Sequence, residues 1–191
     1  MREGNAGNVV LGVTGSIAAH RGLDIASALT KAGCRVRVVL TEDAQRFVTP
    51  LGFQTLSRNP VITGLYDHED GWKPLHVGAA DEADLLLVAP ATAATLARLA
   101  HGLADDALGC IALALEPGTP VLVAPAMNGK MWGHPATRAN VELLRSRGVE
   151  FVGPEDGMLS CGYEGAGRLA GVDRVVGRAL ELLGRVRPGG P

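Results

Sequence analysis

Five short apolar runs, separated by turns and helical stretches, constrain this chain more than any other feature. They are Val9 to Val13, Arg35-Val36-Arg37-Val38-Val39-Leu40, Ala83 to Ala89, Val121 to Ala124 and Val149 to Val152. Runs this short and apolar mark strands buried on both faces. The intervening stretches carry helical patterns: Ile17 through Ile25, Ala28 and Leu29 to Gly33, Glu42 to Val48, Thr95 to about Gly102, Ala104 to Leu115, and Pro135 to Arg147. Val172 to Leu183 reads as a closing helix. Strands that alternate with helices imply a parallel sheet covered on both faces, a doubly wound α/β fold. The 191 residues suit one such domain. The expected boundaries are a flexible start at 1–8, a domain at 9–184 and a flexible tail or linker at 185–191. Leu51 to Trp72 is broken by Gly52, Pro60, Gly64 and Gly71, so it predicts short elements and loops.

Composition removes several function classes. A net charge of −2 gives no basic face for nucleic acid. No apolar run reaches the roughly 18 residues needed to span a bilayer. Residues 1–8 are polar and lack a signal-peptide core. Cys34, Cys110 and Cys161 are odd in number and far apart, which fits neither a disulfide framework nor a metal site and predicts a reducing cytoplasm.

Chemistry is expected at the carboxyl ends of the strands, where ligands bind in open α/β sheets. After the first run, Gly15 and Ser16 form a tight turn into a helix, a place for a phosphate among free N–H groups. The spacing is neither G-x-G-x-x-G nor a P-loop, and a plain connection with Ser16 as N-cap also fits. Thr41 closes the second run and is itself a candidate N-cap. After the fourth run come Pro125-Ala126-Met127-Asn128 and the bulky pair Met131-Trp132, which read either as a ligand wall or as ordinary core. Gly153 to Gly171 is a long glycine-rich loop, and such loops tend to be functional.

Three stretches carry a resemblance. Pro125-Ala126-Met127-Asn128-x-x-Met131-Trp132 resembles the P-x-M-N-x-x-M-W motif of the flavin-dependent cysteine decarboxylase family. Gly12 to Ala19 resembles that family's flavin-phosphate loop. Asp156 to Arg168 resembles the Cys-containing flap of its phosphopantothenoylcysteine-specific members. The likeness covers about Val9 to Leu183. It implies a flavodoxin-like sheet, FMN as cofactor, and trimers with FMN at the subunit contacts, in some members built into dodecamers. It assigns Gly15, Ser16, Ile17, Thr41, Thr92, Ala93, Ala94, Thr95, Ala126 and Met127 to the flavin, with no metal. Ala94 lacks the amide side chain common at that position, which leaves backbone contacts there. His20-Arg21 replaces the family's common Tyr-Lys.

The resemblance also implies a reaction on 4′-phosphopantothenoylcysteine as small-molecule substrate. The thiol-bearing carbon is oxidised to a thioaldehyde with FMN as hydride acceptor, CO2 leaves to give an ene-thiolate, and re-reduction yields 4′-phosphopantetheine, a step of coenzyme A biosynthesis. His76 is implied as the proton-handling residue, Asn128 as the carboxylate ligand, and Cys161 as the proton donor of the reductive half. The bland alternatives are an exposed His76 and a packed Cys161. Two other readings compete: a peptidyl-cysteine decarboxylase that stops at the ene-thiol, and a non-catalytic regulatory flavoprotein subunit. Many members are fused to a synthetase domain that makes the substrate, so a stand-alone enzyme and an excised domain are both expected readings.

Overall fold

The structure is a computed structural model that describes residues 6–67, 73–158, 162 and 164–186. Five strands form the central sheet: β1 (Gly7–Val13), β2 (Cys34–Leu40), β3 (Leu85–Ala91), β4 (Val121–Pro125) and β5 (Glu150–Phe151). Every pairing is parallel, and the order is β2-β1-β3-β4-β5. This is the flavodoxin-like 2-1-3-4-5 arrangement, whose order reverses between β1 and β3. The structure therefore bears out the doubly wound α/β fold.

The helices are α1 (Arg21–Lys31), α2 (Pro50–Ser57), α3 (Leu75–Asp81), α4 (Ala93–His101), α5 (Ala107–Ala114), α6 (Gly129–Gly133), α7 (Pro135–Ser146) and α8 (Val172–Val186). Successive strand side chains point to opposite faces, so each strand feeds two cores. On one face Leu11, Leu85 and Leu87 pack with Ile25 and Leu29 of α1, Phe53 of α2 and Val175 of α8. On the other, Val10, Leu86 and Val88 pack with Leu96 of α4, Ile111 of α5 and Val141 of α7. Burying one such side chain contributes about 1.5–3 kcal/mol, and these two layers hold the strand ends in place.

Several boundaries differ from expectation. β1 starts at Gly7 rather than Val9, because the Ala6 amide already donates to Gly33 at 3.0 Å. α8 runs on to Val186. Glu42 to Val48 holds a 3-10 turn, Ala44–Arg46, in place of a helix. α5 begins at Ala107, where the Asp106 carboxylate caps the Gly109 amide at 2.7 Å. The loop after β5 contains an antiparallel hairpin, β6 (Glu155–Met158) with β7 (Glu164–Arg168). Its glycines hid the extended pattern. No described helix is long and apolar enough to cross a membrane.

Candidate active site

The loops after β1, β3 and β4 converge at the switch point. Thr14, only 1% exposed, ties the first two together. Its hydroxyl donates to the Pro90 carbonyl at 2.8 Å and accepts from the Thr92 amide at 3.1 Å. Ser16 follows in extended backbone; its Oγ accepts from the Ala18 amide at 3.3 Å and donates to the Ala126 carbonyl at 3.4 Å. Ser16 is thus both the expected cap and a bridge to the third loop. Gly15 has no room for a side chain, since an added Cβ would lie 2.4 Å from the Asp43 Cβ.

Thr92 caps α4, its Oγ1 accepting from the Thr95 amide at 3.2 Å. The Leu96 amide bonds the Thr92 carbonyl. Of the four amides a helix start leaves open, those of residues 92–95, Thr14 holds the Thr92 amide and Thr92 holds the Thr95 amide, which leaves Ala93 and Ala94 at the cavity surface. Asn128 caps the short α6, its Oδ1 accepting from the Lys130 amide at 2.8 Å.

A cavity of about 890 Å³ lies over these turns. Of the expected flavin contacts, it is lined by Gly15, Ser16, Ile17, Thr92, Ala93, Ala94, Ala126 and Met127, with Asn128 beside them. Thr41 and Thr95 are not on its surface. Thr41 accepts from the Ala44 amide at 3.3 Å, so it shapes the loop that presents Asp43. Thr95 is 6% exposed, and its hydroxyl lies 3.0 Å from that of Thr92. His76, in the first turn of α3, is half-buried and does not line the cavity. Its Nδ1 is buried without a hydrogen-bond partner among the described residues. Trp132 is 8% exposed within the second core, whereas Met131, 49% exposed, reaches the cavity wall. Cys161 lies outside the described residues. Cys34 is buried, and burial together with Asp106 and Asp105 pushes the Cys110 thiol up, away from reactivity. Among the described residues no group of three His, Cys, Asp or Glu could hold a metal.

The far wall is the glycine-rich stretch that the sequence marks as functional, folded as a hairpin where the sequence suggested a loop. The β6–β7 hairpin docks through Gly167, whose carbonyl accepts from the Met127 amide at 2.9 Å. A Cβ at Gly167 would sit 2.2 Å from the Met127 oxygen, so the two backbones meet only because this residue is glycine. Glu155 clamps the hairpin stem to α8. It accepts from Arg174 at 2.6 Å, Arg168 at 3.2 Å and the Gly171 amide at 3.4 Å. Burial alone would push the Glu155 carboxyl up, but these three donors outweigh it and hold it below the usual carboxylate range. The density of glycines between Gly153 and Gly171 and the flap resemblance of Asp156 to Arg168 were the signals for this wall. Thr14 lay inside the matched Gly12 to Ala19 stretch, but nothing in the sequence marked it as the tie between the loops.

Backbone donors at a helix start, a second helix start with open amides, and an apolar wall suit a planar aromatic ligand that carries a phosphate. The comparisons with known proteins agree with that chemistry. A Streptococcus mutans protein described as a probable phosphopantothenoylcysteine decarboxylase is 42% identical over 175 residues, covering 92% of this chain and 98% of that protein. The coenzyme A biosynthesis bifunctional protein CoaBC of Bacillus subtilis is 45% identical over 172 residues. That match takes in 90% of this chain but 42% of the bifunctional protein, so the chain spans less than half of such relatives. Among solved structures, a PPC decarboxylase cysteine-to-serine mutant complexed with pantothenoylaminoethenethiol superposes with a TM-score of 0.81 at 29% identity, covering 91% of this chain and 96% of that one. The FMN-dependent cysteine decarboxylase SpaF gives 0.80 at 32%, covering 93% and 97%. The Flavoprotein family profile matches residues 1–184, nearly all of the sequence and every element that lines the cavity, and the chain belongs to the Flavoprotein family.

Proposed function

We propose that this chain is an FMN-dependent carboxy-lyase that converts 4′-phosphopantothenoylcysteine to 4′-phosphopantetheine in coenzyme A biosynthesis. The observation that carries the reading is the switch-point cavity, where the open amides of Ala93 and Ala94, the Ser16 turn and Asn128 share one surface. The likeness to the probable Streptococcus mutans decarboxylase over 98% of that protein's length supports it.

Gly15, Ser16 and Ile17 would hold the flavin phosphate, and Thr92 to Ala94 with Ala126 and Met127 would hold the remainder. Thr41 and Thr95 shape those loops from behind. When bound, FMN supplies a reversible two-electron oxidation of the substrate's thiol-bearing carbon, which makes loss of CO2 possible. Asn128 orients the substrate carboxylate beside that carbon. His76 would handle the proton, its Nδ1 having no hydrogen-bond partner among the described residues. Cys161 returns a proton to the ene-thiolate in the reductive half.

His76 lies off the cavity of its own subunit. A trimer that brings His76 of one copy to the cavity of the next would complete the site. Exposed Ile17, Met131 and Met158 around the cavity suit such a contact. Trimers, or dodecamers of trimers, in the cytoplasm are the assembly we favour. A synthetase, fused or separate, would supply the substrate.

Mass spectrometry of the product from phosphopantothenoylcysteine, run beside the flavin spectrum, tests the reading. The expected result is 4′-phosphopantetheine with the flavin oxidised after turnover. For Cys161→Ser the product should be two hydrogens lighter and the flavin bleached. A wild-type product already two hydrogens lighter would favour the peptidyl-cysteine chemistry. No loss of CO2 at all would favour a regulatory flavoprotein.

A further inference from the structure

Under the proposed reading the cavity must take two phosphate monoesters, one on the cofactor and one on the substrate. Each carries about −1.5 to −2 charge near neutral pH. Two such groups in one crevice repel, so the second needs a cation of its own. Among the described lining residues the cationic candidates are Arg168, His20 and Arg21.

Arg168 pairs with Glu155, which also holds Arg174 and the Gly171 amide, so drawing Arg168 away would loosen the hairpin stem. His20 has its Nδ1 2.8 Å from the Ile17 carbonyl. That contact ties the ring back to its own loop. Arg21 differs from both. It opens α1, one turn beyond the Ser16–Ile17 amides, at the positive end of the helix. Its partner is Asp24, an i,i+3 neighbour at 3.2 Å, and both side chains are 55% exposed. A surface pair of that kind contributes little. The guanidinium can therefore turn to a phosphate without leaving a buried charge behind, and its planar fork suits two-point binding of that group.

We infer that Arg21 is the residue that recognises the phosphate of the substrate, and so distinguishes phosphopantothenoylcysteine from its dephosphorylated counterpart. The inference rests on the proposed reaction and names the residue that sets its specificity. It also gives a role to the His20-Arg21 departure.

The test is calorimetric binding of 4′-phosphopantetheine and of pantetheine to the FMN-saturated protein, with turnover measured in parallel. The wild type should bind the phosphorylated compound more tightly. Arg21→Gln should reduce that preference roughly 10- to 100-fold, the range expected for loss of a charge-assisted hydrogen-bonded pair. Arg21→Lys should keep much of it. If Arg21→Gln keeps the wild-type preference, or weakens FMN retention while the preference stands, the assignment is overturned. A wild type that turns nothing over yet shows the Arg21-dependent preference would sink the reaction and leave the subsite standing. A wild type that decarboxylates, with a preference indifferent to Arg21, would do the reverse.

Discussion

The two walls of the cavity are held by different forces. The sheet-end wall grows out of strands whose residues are buried in both cores, and its loops are joined by the hydroxyl of a threonine 1% exposed. Among the described residues the hairpin wall is held by the Gly167 backbone contact, by Ala166 against the edge of the second core, and by Glu155 gripped by Arg168 and Arg174, whose side chains are 56% and 63% exposed. Buried packing is insensitive to salt, and solvated ion pairs are screened within about 10 Å at 0.1 M ionic strength. One wall is therefore preset before any ligand arrives, while the other can shift with pH and salt at small cost.

The largest way to break the contrast is to attack what both walls share. Leu87→Ala empties a fully buried position under β3, and it should cost about 2–5 kcal/mol. Chemical denaturation should show that loss as a lower midpoint with ligand binding at both walls weakened. A loss below about 1 kcal/mol would mean that the sheet is not what holds the site.

Thr14→Val keeps the shape but strands the Thr92 amide and leaves the Pro90 carbonyl with the Thr14 backbone amide alone. It should cost about 1–3 kcal/mol and weaken FMN binding, read by flavin fluorescence on titration. Hairpin protection in hydrogen exchange should stay as it was. If exchange rises in 155–168 instead, the walls are coupled and the contrast fails.

Gly167→Ala is the mirror experiment. Its methyl group would collide with the Met127 carbonyl, and overpacking of this kind costs about 1–3 kcal/mol. The expected outcome is faster hydrogen exchange or proteolysis in the hairpin, with FMN affinity nearly kept. Unchanged hairpin protection would show that the docking contact adapts freely.

The smallest effect is electrostatic. Because the folded-state pKa of Glu155 is lowered, its contribution is fully present above the unfolded value of about 4.3. It fades as pH falls through the lower folded value. Hairpin protection should therefore hold from pH 7 to about 5 and drop below about 4, and Glu155→Gln should remove that pH dependence. The whole effect should stay within about 1 kcal/mol, as for exposed pairs. A hairpin equally protected at pH 3 would show that Gly167 and Ala166 hold it without Glu155.

Much of this molecule was legible in local pattern. The apolar runs from Val9, Arg35, Ala83, Val121 and Val149 became the strands of the sheet in chain order, and Gly15-Ser16 became the capped turn it predicted. Such signals are local: a strand buried on both faces needs a continuous apolar run, and a helix start needs a cap within three residues. Tertiary structure decided the rest. Thr14 matters because β3 lies next to β1, a contact between residues 78 apart in sequence. Asp43 reaches the cavity because β2 flanks β1, and Glu155 because α8 packs back against the hairpin stem. His76 matched a family position yet sits off the cavity, since the layer that carries α3 is set by packing against α5 and not by the residues around the histidine. Periodicity fixes which face of an element is buried. Which element it is buried against depends on the order of the sheet, and that order follows from the joint packing of both cores.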